Sequence, residues 1–154
     1  MMFTASRGTG PFVIRYPRGG AAGVAEGPMT ELAVGKAEVL REGEDVALLT
    51  LGHTALDGAT AAERAAEQGV SVCHIDLRWA KPLDSQMLRS VAEKFERIVT
   101  VEDGVLGGGV GSAVVEWMSD NGFAPRIVRL GIDDEFVSHG TVGQLKHHCG
   151  YDAN

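Results

Sequence analysis

Four groups of residues have types and spacings that could do chemistry. Gly107-Gly108-Gly109-Val110-Gly111-Ser112 is a glycine turn feeding a helix-like run, a form that presents free backbone N–H groups to an anion. It fits neither GxGxxG, because Ser112 stands where the third glycine belongs, nor GxxxxGK[ST], because lysine is absent. The preceding Glu102-Asp103 also sets negative charge beside any phosphate. Close strand–helix packing therefore accounts for these glycines better than a ligand does. His74 and Asp76, two apart on a strand-like run, share a face. For such a pair a satisfied core hydrogen bond is the ordinary outcome, ahead of a catalytic dyad. His147 and His148 are adjacent and have no HExxH or Cys/His spacing to recruit them to a metal. Arg18 follows Pro17, which restricts the backbone, and precedes Gly19-Gly20, which lets another group approach. Such an arginine could clamp a phosphate or carboxylate with both arms of its guanidinium, or lie at the surface beside a linker; the two readings stand level.

Composition sets the class in which these residues work. The 154 residues are 44% hydrophobic, 23% charged and 6% aromatic, which excludes a disordered, collagen-like or coiled-coil chain. No apolar run approaches the roughly 20 residues of a membrane span, and Met1 to Gly8 lacks the apolar stretch of a secretory signal. A cytoplasmic protein without a membrane partner is expected. Fourteen basic against 21 acidic side chains leave a net charge of −7, which repels a nucleic-acid backbone. The balance is uneven: Arg7, Arg15 and Arg18 face no acid within the first 20 residues, so the remainder carries −10. An anionic ligand would be drawn to the amino-terminal end. Cys73 and Cys149, without CxxC spacing, fit a reducing compartment.

Glycine and proline divide the chain. Phe12 to Tyr16 reads as a short strand between Gly10-Pro11 and Pro17. Gly19 to Gly35 is small, glycine-rich and aperiodic, a linker composition. Beyond it, strand patterns at 37–41, 45–51, 70–76, 97–103 and 126–130 alternate with helical patterns. The first helix runs from Thr54 to Gln68 with Ala55, Ala59, Ala62 and Ala66 as its stripe. The second starts after an N-cap at Asp84 and buries Leu88, Val91, Ala92 and Phe95. The third spans Ser112 to Asp120, with Val110, Val114, Val115 and Met118 inward. Thr141-Val142-Gly143-Gln144 has capping-box form and opens a last helix. This alternation predicts an α/β fold, three-layer αβα on a mostly parallel five-stranded sheet, over residues 36–154. Ligands of such sheets sit outside the carboxyl ends of the strands. There the pattern places His53 and Thr54, Asp76 and Arg78, Glu102 and Asp103, and Asp133 to His139.

Four blocks in order, Phe12 to Gly19, Asp76 to Asp84, Val101 to Ser112 and Gly131 to Gly140, resemble the carboxyl-terminal part of the 1-deoxy-D-xylulose-5-phosphate synthase family over essentially the whole chain. Each block alone would be shared with transketolases and 2-oxo-acid dehydrogenase beta chains. The resemblance implies a transketolase C-terminal-domain-like fold at 36–154, a linker at 21–35, and at 1–20 the last strand of a preceding pyrimidine-binding domain. It implies a homodimeric, Mg²⁺- and thiamine-diphosphate-dependent transferase. That enzyme condenses pyruvate with glyceraldehyde 3-phosphate, supplying isoprenoid, thiamine and pyridoxal synthesis. The family's tyrosine–proline–arginine–glycine motif matches Tyr16 to Gly19 and gives Arg18 the substrate phosphate. Glu102, Asp103 and His139 are expected at interdomain or dimer contacts. The cofactor motif, metal ligands and activating glutamate belong to amino-terminal domains with no counterpart among these residues. No catalytic residue, metal or cofactor is thus expected in this stretch alone, which should be inactive by itself. Both ends look cut, as in a partial gene or a split subunit. The alternatives are the same domain of a transketolase or 2-oxo-acid dehydrogenase beta chain, and a stand-alone anion- or nucleotide-binding module.

Overall fold

The run Val46–Thr50 (β2) is buried at four of its five positions, which requires cover on both faces of the sheet that contains it. A computed structural model supplies that cover. It describes residues 1–17 and 27–154, which divide into two compact units, Met1–Val34 and Gly35–Asn154. In the second unit Glu38–Arg41 (β1), β2, Val72–Asp76 (β3), Arg97–Val105 (β4) and Arg126–Ile132 (β5) form one sheet in the order β1-β3-β2-β4-β5. Every pairing is parallel except β1 with β3. The helices are Thr54–Glu67 (α2), Ser85–Lys94 (α3), Val110–Asp120 (α4) and Val142–His148 (α5). The expected α/β architecture is present, with strand and helix ends within a few residues of the sequence pattern.

Alternation along the strands divides the core in two. Ala47, Leu49, Cys73, Ile75 and Ile98 meet Leu88, Val91 and Phe95 of the α3 region and Val114 and Met118 of α4. Leu48, Val72 and Val101 face the other way, toward Ala62 of α2 and Tyr151 near the carboxyl terminus. Neighbouring residues of one strand thus serve opposite layers. Asp84 caps α3 as expected, accepting from the N–H groups of Gln86 (3.2 Å) and Met87 (3.1 Å). Its other oxygen accepts from Ala37 N (3.2 Å), which ties α3 to the chain entering β1. Burial acts to raise the Asp84 pKa, but the hydrogen bonds from Met87 and Ala37 and the nearby Lys36 ammonium outweigh it and hold it low. Thr141 and Gln144 form the reciprocal capping box of α5.

Two helix stripes differ from the expected ones. On α2 the buried positions are Thr54, Gly58 and Ala62, not Ala55, Ala59 and Ala66. A Cβ at Gly58 would lie 2.8 Å from Thr50 Cγ2 and 2.9 Å from His74 Nε2, so the helix seats a glycine directly on the sheet. Thr54 Oγ1 donates to backbone oxygens of Leu51 (3.1 Å) and Val101 (3.2 Å). On α4, Gly111 is buried while Val115 is 39% exposed. A hydrophobic pattern cannot detect an inward face made of glycine and hydrogen-bonded threonine.

Within the first unit Met2–Arg7 forms a short helix (α1), for which the sequence carries no evident signal. Thr4, 3% exposed, accepts the Leu32 N–H at 2.9 Å, and Arg7 pairs with Glu31 at 3.2 Å. Phe12 to Tyr16, expected as a strand, joins no sheet; Val13 is 97% and Tyr16 74% exposed. A strand persists only where a neighbour takes its N–H and C=O groups, and the described residues offer this segment no ladder. Among the described residues no helix is long and apolar enough to cross a membrane.

His74 is 1% exposed, and its Nε2 lies 2.9 Å from Thr50 Oγ1. Burial holds its pKa below the ordinary histidine value of 6.5, with Asp76 opposing weakly. The unfolded chain therefore takes up a proton that the folded ring resists, and stability falls as pH drops through 6.5. Urea unfolding between pH 7.5 and 5 should show this decline, and His74→Gln should flatten it; an equally steep decline in the variant would place its origin elsewhere.

Candidate functional site

The carboxyl ends of the four parallel strands gather acidic groups. Parity along β4 decides how they are used. Thr100 and Glu102 turn toward α4, whereas Val101 and Asp103 turn toward α2 and the carboxyl-terminal segment.

Glu102 closes the glycine turn from beneath. It is 6% exposed, and its Oε2 accepts from Val110 N (2.8 Å) while Oε1 accepts from Gly111 N (2.9 Å). The N–H groups that a phosphate would use are held by a carboxylate of the same chain. Gly109 and Gly111 are glycines because of that approach. A Cβ at Gly109 would sit 2.2 Å from Glu102 Oε2, and one at Gly111 2.6 Å from Thr100 Oγ1. Arg129 of β5 completes the turn, donating to Leu106 O (2.9 Å) and Ser112 Oγ (2.7 Å). The packing role expected for these glycines is observed at Gly109 and Gly111, whereas a Cβ at Gly107 or Gly108 would meet open space.

Asp103 organises the opposite face. Tyr151 OH donates to its Oδ1 at 2.9 Å, and His53 Nε2 lies 3.3 Å from its Oδ2. Tyr151 is 5% exposed and packs in the second core cluster, with Cys149 against it. Lys146 pairs with Asp57 of α2, and Arg64 donates to Ala153 O at 2.9 Å. The carboxyl-terminal segment is thereby fastened to the sheet edge and to α2. Sequence pattern does not reveal Tyr151; its only signal is an aromatic residue in a polar tail.

Asp76 and His74 do not form a dyad. Asp76 Oδ1 accepts from the N–H groups of Gly52 (3.2 Å) and Arg78 (2.9 Å), while His74 faces Thr50. Arg78, with φ of 56°, is held in the left-handed region by that contact and by its pairing with Glu38. Asp133 to Glu135, Phe136, Ser138 and His139 are exposed, Phe136 completely. His147 Nδ1 pairs with Asp152 at 2.8 Å. Among the described residues no three His, Cys, Asp or Glu side chains converge as metal ligands. Arg18 lies outside the described residues.

Residues 35–154 match the family model described as "Transketolase, C-terminal domain". The chain belongs to this family. Its members named 1-deoxy-D-xylulose-5-phosphate synthase include relatives from Bacteroides fragilis, 49% identical over 99% of this chain, and Carboxydothermus hydrogenoformans, 41% identical over 97%. The chain spans 24% of the length of each of these two curated relatives, so it corresponds to a carboxyl-terminal fragment of such a protein. A solved structure titled "Split gene transketolase, inactive beta4 tetramer" superposes with a TM-score of 0.77 at 31% identity, over 85% of this chain and 43% of that one. The glycine turn is filled by the Glu102 carboxylate, and the strand ends around it are acidic.

Cys149 packs against the cluster that holds Tyr151, whose hydroxyl is fixed by Asp103, so Tyr151→Phe should speed reaction of Cys149 with an aromatic disulfide by roughly ten- to a hundredfold, the worth of one hydrogen bond to a charged group. Cys73, whose thiol burial pushes up with help from Glu42, should stay slow. An unchanged Cys149 rate would remove the clasp role from this contact.

Proposed function

We propose that this chain is the carboxyl-terminal part of a thiamine-diphosphate-dependent synthase that condenses pyruvate with glyceraldehyde 3-phosphate to 1-deoxy-D-xylulose 5-phosphate. The observation that carries the reading is the 49% identity to a protein of that name across 99% of the chain. In this reading residues 1–20 belong to the preceding pyrimidine-binding domain, 21–35 are a linker, and 36–154 are the terminal domain. Mg²⁺ and thiamine diphosphate reside in the amino-terminal domains, and the fragment alone binds neither and turns over nothing. The enzyme is a cytoplasmic homodimer. The fragment's work is mechanical: it supports the dimer and the neighbouring domains and closes one wall of the active site.

Arg18 is the residue assigned to substrate, as a clamp on the glyceraldehyde 3-phosphate phosphoryl group. The formal charge of +3 on the first 20 residues favours an anion there even with Arg7 paired to Glu31, whereas the acidic strand ends of the domain do not. Asp103, His139 and the exposed Phe136 form the surface offered to other domains or to the second subunit. Glu102 serves that surface from below, by holding the turn beside it.

A second reading, the same domain of a transketolase, is favoured by the likeness to the split-gene transketolase. A stand-alone anion-binding module has less support, because the glycine turn already holds a carboxylate.

In the full-length protein, Arg18→Ala should raise KM for glyceraldehyde 3-phosphate by roughly ten- to a hundredfold, as loss of a charge-assisted hydrogen-bond pair would, with little change in KM for pyruvate. Equal effects on both substrates would remove the assignment. Activity with pentose phosphates in place of pyruvate would favour the transketolase reading.

A further inference from the structure

We propose that the outer edge of β5 binds the β5 edge of a second copy of this chain, antiparallel, so that the two sheets continue into one another about a two-fold axis. β5 ends the strand order, so no strand among the described residues takes the backbone groups on its outer side. Alternation identifies those groups. Arg126 N donates to Glu96 O and Ile132 O accepts from Leu106 N, so the even-numbered residues of β5 bond toward β4 and the residues flanking it. Ile127, Arg129 and Gly131 therefore present their N–H and C=O groups outward.

The two edges of the sheet are not alike. β1, at the other end, has only four residues, a register shift between Val39 and Arg41, and a charged pair of Glu38 with Arg78. Short length, irregularity and charge are the devices that keep an edge from pairing. β5 has seven residues and runs beside β4 in unbroken register from Arg126 to Leu130. Arg129 could guard it, but its guanidinium is drawn back onto Leu106 O and Ser112 Oγ. Val128 shares a face with Leu130 and Ile132 and is left exposed.

Charge selects the occupant and the register. Arg126 opens β5, and Asp133-Asp134-Glu135 follows its end; among the described residues none of these four forms an ion pair. An antiparallel strand of the same sequence brings the end of each copy to the start of the other. With Leu130 opposite its own copy at the axis, Val128 stands opposite Ile132, Arg129 opposite Gly131, and Arg126 opposite Asp134, each pair occurring twice. The neighbouring register, centred on Arg129, would set that arginine opposite itself and leave Arg126 opposite Ile132, so it is disfavoured. A strand of another protein would gain the backbone hydrogen bonds without these reciprocal pairs. The pairing is a property of this chain's own edge and does not depend on which reaction the whole protein performs.

The test uses the 154-residue chain in sedimentation and amide hydrogen exchange. It should sediment as a monomer at about 1 μM and increasingly as a dimer toward about 500 μM, the range of a small transient interface. Over the same rise in concentration, exchange at Ile127, Arg129 and Gly131 should slow by roughly threefold or more, while exchange along β1 stays unchanged. Arg126→Glu should raise the concentration of half-dissociation by roughly tenfold, because two attractive pairs become repulsive, and Asp134→Arg should act alike. The two substitutions together should recover most of that loss. At about 1 μM each variant should melt within about 2 °C of the parent, since neither side chain is paired within the described chain. A chain monomeric at every concentration, a dimer indifferent to Arg126→Glu, a double variant no tighter than the single ones, or β5 amides that do not slow would each overturn the proposal. The exchange measurement uses the parent alone and so decides the matter even where a substitution costs stability.

Discussion

Both oxygens of the Glu102 carboxylate are held by the first backbone amides of α4, and the geometry at the end of the sheet follows from that contact. A buried charge is tolerated only where it is matched, and here the match is a helix terminus whose N–H groups would otherwise be orphaned. Each side satisfies the other. The approach leaves no volume for a Cβ at Gly109 or Gly111, so the glycines follow from the carboxylate, and the turn they form carries Arg129 and Ser112 with it. Strands β4 and β5 and helix α4 are joined at this one place.

The next residue along β4 does the opposite work. Asp103, turned to the other face by strand parity, receives Tyr151 and His53 and so fastens the end of the chain. Two adjacent acidic residues thus hold two different layers, one through backbone amides and one through side chains. Neither is arranged as an acid–base pair on a reacting group.

Elements with continuous apolar runs or explicit caps are legible in the amino-acid sequence. Leu48 and Leu49 of β2, Leu88 and Val91 of α3, the Asp84 cap and the Thr141–Gln144 box need only local pattern and hydrogen-bond chemistry. The stripes of α2 and α4 are not legible, because Gly58 and Gly111 face inward for reasons of distance and contribute nothing to a hydrophobic period. Phe12 to Tyr16 has strand composition and no strand, because pairing is a property of two segments. The role of Tyr151 is hidden for the same reason: its partner, Asp103, is 48 residues away.

Sequence by itself determined the class of fold, the order of its elements, the acidic character of the strand ends and the absence of any known phosphate-loop spacing. Each of these is set by residues close together in the chain or by composition. Tertiary structure decided which groups meet: that Glu102 fills the glycine turn, that His74 turns to Thr50 and not to Asp76, and that the last residues close over the sheet edge. The physical reason is that a carboxylate or imidazole is satisfied by whatever donor or acceptor packing brings within about 3 Å. Sequence separation carries no information about that distance.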